Sequence, residues 1–423
     1  MKRLTALLLC AALLCWACLA CAQEETDGLL EEAAESLQAD EAGEGIDQLL
    51  RDADAGDADS QFALGYAYYN GSFGEQSYEK ALKYFRLAAD QGDTIALDYI
   101  GTCYLSGRGV EQSTEKALEY YQLAAGRGDP LAMHCIGLIY YGGEGVEQSY
   151  ETAVSYFQQA AEQGHPDATL YLGICHEYGW GVEQSYDKAM ELYQAAADLG
   201  SANALTNIGT LYHEGSGVEQ SFEKAAEYFR LAAEAGSALG QSNMGLCYDL
   251  GEGVEQSYEK AVEYYRMAAD QGEPRGQYYL GTMYRAGQGI EQSYDEAVRY
   301  FTLASEQGNV YAQTTLGMMY EAGEGVGQSY EKAAEYYRLA ADQNEPCALY
   351  SLGVLYHNGS GVTRSFTKAV ECFRKAADLD LEEAVEALDY MYNAGETSYK
   401  YVPSKDRVKQ LVDVFQNLYG DSD

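Results

Sequence analysis

The chain has 423 residues and a formal net charge of −40, from 27 Lys and Arg against 67 Asp and Glu. A polyanion of that size repels phosphate backbones and anionic lipid headgroups, which argues against nucleic acid and membrane surfaces as partners and favours a neutral or basic one.

Residues 1–22 (MKRLTALLLCAALLCWACLACA) join a short basic start to an apolar run that ends in Ala20-Cys21-Ala22. This pattern predicts a cleaved export signal and hence a secreted, periplasmic or cell-surface protein. Lipid attachment at Cys21 and an uncleaved anchor are the alternatives, since about 20 apolar residues can span a bilayer. Removing Lys2 and Arg3 with the signal would bring the charge to −42, 25 basic against 67 acidic. Residues 23–45 carry nine acidic residues and no basic one, which predicts a flexible, solvated segment.

From Ile46 a repeating register is present, and residues 46–56 read as an N-terminal half-repeat cap, with Gly56 lying 36 residues before Gly92. The run Asp52, Asp54, Asp57, Asp59 invites a calcium loop. Such a loop needs oxygen ligands at positions 1, 3 and 5 and Gly at 6, and here the fifth position is Gly56 and the sixth Asp57, so no metal site is expected.

Over residues 57–380 glycine recurs at 65, 101, 137, 173, 209, 245, 281, 317 and 353, a strict period of 36 that defines nine repeats. Tandem copies of one supersecondary element are the sequence signature of a solenoid. Counted from the repeat glycine, a small residue at −5, an aliphatic or Met at −1 and Tyr at +3 trace one stripe of a first helix. A glycine in mid-helix costs about 1 kcal/mol relative to Ala, so its recurrence suggests a neighbouring helix backbone too close for a Cβ. Glycines at +6 and +8 suit a tight turn with positive φ. Ser at +12 is a natural N-cap for a second helix, whose Ala at +16, aromatic pair at +19/+20 and Ala-Ala at +23/+24 form its apolar face.

Residues 381–423 hold a degenerate repeat and a predicted C-terminal capping helix. Asp380 and Asp389 replace register glycines, while Leu388, Tyr392 and Gly395 keep their places. After Pro403, the residues Val408, Leu411, Val412 and Phe415 fall on second-helix offsets beside the basic cluster Lys400, Lys405, Arg407 and Lys409.

The pattern A-x-x-x-L-G-x-x-Y-x-x-G-x-G-V…A-x-x-Y-[FY]-x-x-A-A-x-x-G resembles the Sel-one-like repeat (SLR), a relative of the tetratricopeptide repeat. The resemblance implies a right-handed, all-α solenoid that binds proteins as an adaptor and carries neither catalytic residues nor cofactor. Where many members place Asp before the second helix, this chain has Ser, and both residues cap.

Other chemistries find weaker support. Ser-x-x-Lys, a penicillin-recognising signature, occurs seven times, from Ser77-Lys80 to Ser365-Lys368, without S-D-N or K-T-G partners. Capping explains it better, and a hydrolase or β-lactam-binding enzyme is kept as the alternative. The five His fall in different repeats with no H-E-x-x-H or Cys/His cluster. Cys103, Cys175 and Cys247 share the +2 position with Ile, Leu and Met elsewhere, so buried free thiols are expected in place of disulfides.

If −5, −1, +2 and +3 face inward, −3, +1 and +4 project from the opposite side of the first helix, which in this family tends to line the concave surface. The −3 and +4 positions vary most among the nine copies, and variable exposed positions are free to carry recognition. The predicted partner-binding residues are Phe62, Tyr69, His134, Tyr141, His213, Tyr278, Arg285, Tyr350 and His357, aromatic and charged types that dominate interface energies. The expected partner is a protein or peptide, neutral or basic, bound by a monomer.

Overall fold

The computed structural model describes residues 42–72 and 76–399, and these contain twenty α-helices and no strand. The proposed signal, nearly all of the acidic segment and the basic C-terminal helix lie outside the described residues. The chain is an all-α solenoid of 36-residue helical hairpins. Its residues fall into two compact bodies, one ending at Ser221 and the other beginning at Phe222.

In the first body an opening helix, Ala42–Ala55, begins four residues before the expected half-repeat and is closed by Gly56 at a φ of 99°. Hairpins follow, from Ala58–Asn70 with Tyr78–Asp90 to Pro166–Tyr178 with Tyr186–Asp198, and then the single helix Ala202–Glu214. The second body starts with Phe222–Glu234, continues through hairpins such as Val310–Ala322 with Tyr330–Asp342, and ends at Glu382–Asn393. Within each body a first helix packs on the second helix of its own repeat, which packs on the first helix of the next.

The helix ends follow local chemistry. The +12 serines cap as expected: Ser77, Ser113, Ser257, Ser329 and Ser365 each accept the backbone N–H of the lysine three residues on. First helices have caps of their own at −8, where Asp57, Asp93, Asp129, His165, Glu273 and Asn309 accept N–H groups of the first turn. The +6 glycines close those helices in the left-handed conformation. Asn344 and Asp380 take the same left-handed geometry at 61° and 72° where other repeats have Gly after the second helix.

The repeat glycine has a different cause from the one the sequence suggests. A Cβ built on Gly317 would lie 2.5 Å from the Tyr337 ring and one on Gly65 2.6 Å from Phe85. The same holds at Gly101, Gly137, Gly173, Gly245, Gly281 and Gly353, so the aromatic side chain at +20, and not a backbone, fills the space. At +8, Gly109, Gly181, Gly253, Gly289 and Gly361 do meet backbone, whereas Gly145, Gly217 and Gly325 meet side-chain atoms first. A Cβ on Gly109 would lie 2.7 Å from the carbonyl carbon of Tyr78, at the start of the preceding repeat's second helix. Positive φ and close approach therefore coincide at that one residue.

Candidate protein-binding surface

The first helix is buried on more sides than its own hairpin partner requires. The −1 and +2 positions are buried throughout the described repeats, as expected. The −3 and +4 rows, predicted to be exposed, are largely buried as well. Tyr69, His134 and Tyr141 are fully enclosed, and Phe62, His213, Tyr278, Arg285, Tyr350 and His357 are half-buried. The correction is physical: these rows face the +20 ring of their own repeat and the start of the following repeat, two neighbours that a stripe drawn from one hairpin leaves out.

Those contacts alternate along the chain. The +20 residue is Phe in odd repeats and Tyr in even ones. In even repeats an acid at +4 can receive the phenol: Tyr193 Oη donates to Glu177 Oε2 at 2.6 Å, Tyr337 to Glu321 at 2.7 Å and Tyr265 to Asp249 at 3.3 Å. Burial, reinforced by the neighbouring carboxylate, pushes all three phenols far above their ordinary pKa. In odd repeats the +4 side chain meets the next repeat's turn. Arg108 Nη1 donates to Tyr69 Oη at 2.6 Å, Arg285 makes a two-pronged pair with Glu324 at 3.0 and 2.8 Å, and His357 Nε2 lies 2.8 Å from Glu396.

The −3 side chains meet the next repeat's N-cap. Ser242 donates to Glu273, Thr314 to Glu345 at 3.2 Å, and His134 stacks on His165 with ring centroids 4.8 Å apart. Neither ring nitrogen of His134 has a hydrogen-bond partner, and burial, then His165, lowers its pKa well below the usual value.

The motifs read as chemical signatures make structural contacts. In five of the seven Ser-x-x-Lys motifs the lysine lies over a ring: Lys80 over Tyr68, Lys116 over Tyr104, Lys260 over Tyr248, Lys332 over Tyr320 and Lys368 over Tyr356, at 4.8 to 5.2 Å. Where His176 replaces that Tyr, Lys188 turns to Glu191 at 2.9 Å. Asp57, one of the four aspartates of the run that invited calcium, caps a helix, and among the described residues no group of three or more His, Cys, Asp or Glu is placed to hold a metal ion. The +2 cysteines Cys103, Cys175 and Cys247 are buried free thiols, and Cys135 is buried as well.

One signal was missed in the sequence. Gln at +11 recurs in eight repeats, and its side-chain amide donates to the +4 carbonyl, as Gln76 to Tyr69 and Gln328 to Glu321, both at 2.9 Å. In the ninth repeat Arg364 takes its place on His357 at 3.0 Å. The strict recurrence of Gln could have identified it.

On the stripe −6/−2/+1/+5, solvent is reached mainly at −6 and +5, and Met318 is exposed at +1, while the −2 and remaining +1 side chains are buried or half-buried. In the second body the stripe carries Leu239 and Leu250 on one first helix, Arg275 on the next and Tyr311 and Met318 on the third. Tyr311 is 60% exposed and Leu250 56%. Tyr278 sits at its edge, 5.9 Å from Tyr311 between ring centroids, and Arg275 Nη2 donates to Asn243 at 3.2 Å. Of the predicted positions, only +1 belongs to this stripe.

The repeat itself has a known counterpart. The Sel1 repeat matches nine times, from 58–93 without a gap through 310–345, and then over 348–381. The chain belongs to the Sel1 repeat family. It is similar to a Sel1 repeat protein from Oxalobacter formigenes, with 30% identity over 73% of this chain and 90% of that one and a TM-score of 0.52. It is also similar to c5321, a protective antigen of uropathogenic Escherichia coli displaying an SLR fold, with 32% identity over 83% of each chain and a TM-score of 0.46. No curated protein matches the chain. Sel1 repeat proteins generally mediate protein–protein interactions and are typically non-catalytic. No described helix is long and apolar enough to cross a membrane.

Proposed function

We propose that this chain is an exported, non-catalytic scaffold that holds a protein or peptide on the outward stripe of its first helices. The observation that carries the reading is the exposure of Leu239, Leu250, Tyr311 and Met318 on first helices of one body, beside Arg275 and Tyr278. Large apolar and aromatic side chains left exposed together are characteristic of interaction surfaces. The net charge of −40 favours a neutral or basic partner, and the family's general role agrees. Export is supported by residues 1–22. Of the residues predicted from sequence, Tyr278 is retained as an edge of the surface. Tyr69, His134 and Tyr141 are too buried to touch a partner without rearrangement. A hydrolase or β-lactam-binding reading gains nothing from the serines, whose hydroxyls accept backbone N–H groups.

The test compares affinity capture from the cell envelope and medium by the wild-type chain and by Leu250→Ser/Tyr311→Ala/Met318→Ala. A partner held by the wild type and lost from a variant with unchanged circular dichroism supports the reading; equal capture by both overturns it.

A further inference from the structure

The third and fourth repeats meet across two imidazoles. His134, on the first helix Pro130–Gly142, is fully buried, and neither of its ring nitrogens has a hydrogen-bond partner. Its ring stacks on that of His165, 4.8 Å between centroids and 25° between planes. Phe157 at 5.7 Å and Tyr171 at 5.6 Å close it in. Such walls accept a neutral imidazole and penalise an imidazolium, because a buried charge without a partner is costly.

His165 also caps the first helix of the fourth repeat, Pro166–Tyr178. Its Nδ1 accepts the Ala168 N–H at 3.2 Å, so the neutral ring carries its hydrogen on Nε2. A proton taken up at Nδ1 turns that acceptor into a donor facing a donor, and the cap is lost. The Asp and Glu caps of other repeats keep an acceptor oxygen when protonated, so the loss is particular to His165. Two charges act on His165: Asp167, in the first turn of its own helix, and Asp129, which caps the helix of His134. Both favour the imidazolium without outweighing burial, whereas burial and then His165 act against a proton on His134. Among the described residues, no charged side chain of Thr114–Ala125, Tyr150–Ala161 or Tyr186–Asp198, the second helices packed against these two, acts on either ring. Asp98, at the −3 position one repeat earlier, is a buried carboxyl group.

We propose that this joint is an acid-responsive opening point: protonation of His134 and His165 releases the first helix of the fourth repeat from the third, while repeats farther along stay folded. The two rings share one interface, so the second proton meets the charge of the first. A solenoid repeat contacts only its neighbours, which lets a single joint open by itself. An imidazole held neutral in the closed joint and titrating normally in the open one favours opening by up to about tenfold per pH unit below pH about 6.5. At the corresponding positions of the seventh and eighth repeats stand Tyr278 and Asn309, neither of which titrates in this range.

Hydrogen–deuterium exchange of the full chain at pH 7 and pH 5, corrected for the intrinsic pH dependence of amide exchange, tests the proposal. Protection over Pro130–Gly142 and Pro166–Tyr178 should fall at least about tenfold at pH 5, while Val310–Ala322 keeps its protection. His134→Leu/His165→Asn brings in the Leu170 of the fourth repeat's −3 position and the Asn309 cap of the eighth, and should be as protected at pH 5 as at pH 7. His165→Asn alone, which keeps the cap, should show a smaller fall than wild type. Asp98→Asn should open like wild type. The proposal is overturned if wild-type protection is the same at both pH values, if Val310–Ala322 loses as much as the joint, if either histidine variant responds to pH as wild type does, or if Asp98→Asn abolishes the response.

Discussion

Gly317 and Tyr337 are a lock: a methyl group on the glycine would stand 2.5 Å from the ring carbons of the tyrosine. In an unobstructed helix Ala would be better than Gly by about 1 kcal/mol. Here overpacking, typically costing about 1–3 kcal/mol, opposes that gain, and a ring enclosed on all sides has little room to give. Gly317→Ala should therefore lower the thermal midpoint. Gly327, with nothing within 4 Å of a Cβ and no positive φ, is the control, and Gly327→Ala should be neutral or slightly stabilising.

The alternation of phenols and acids makes a double-variant prediction. Tyr193→Phe removes the 2.6 Å donor to buried Glu177 and should cost about 1–3 kcal/mol. The third repeat shows an arrangement that needs no such donor, Tyr141 beside Phe157. Adding Glu177→Tyr to Tyr193→Phe should recover part of the loss, giving a favourable coupling in a denaturation cycle.

His134 and His165 predict a pH dependence with a definite sign. Burial lowers both pKa values, with His165 adding to the effect on His134, whereas Asp167 and Asp129 partly oppose the shift of His165. An imidazole that titrates lower in the fold than in the unfolded chain contributes fully above pH about 6.5. That contribution is lost as pH falls below this value, by up to about 1.4 kcal/mol per pH unit for each group. The thermal midpoint should drop between pH 7 and pH 5. The drop should shrink in His134→Leu, a residue that the same register already accommodates as Leu170.

Ser329 tests whether Ser-x-x-Lys is one chemical site or a repeated cap. Ser329→Ala should cost about 1 kcal/mol, and Ser257→Ala should cost the same, because both hydroxyls accept the N–H three residues on. Labelling by a fluorescent penicillin that disappeared with one of these serines alone would contradict the capping role.

The repeat length, the hairpin, the +12 caps and the +6 turns were legible because each depends on local chemistry within about ten residues. The exposed face was not. Hydrophobic spacing in one helix reports that helix's apolar sides without saying how many neighbours share them. His134, Tyr69 and Tyr141 look like surface residues on a single hairpin, and the following hairpin buries them. The repeat glycine was legible as a close contact, but only the folded chain shows that the ring at +20, seventeen residues beyond the +3 tyrosine, supplies it.

Gly109 and its equivalents turn each connecting loop into part of a joint, since the loop that ends one helix also rests on the entrance of the helix behind it. A loop so placed cannot gain or lose a residue without separating two neighbours. Such an array can change its reach only by whole modules, duplicated or deleted in register, so its length is open to variation while its pitch is not.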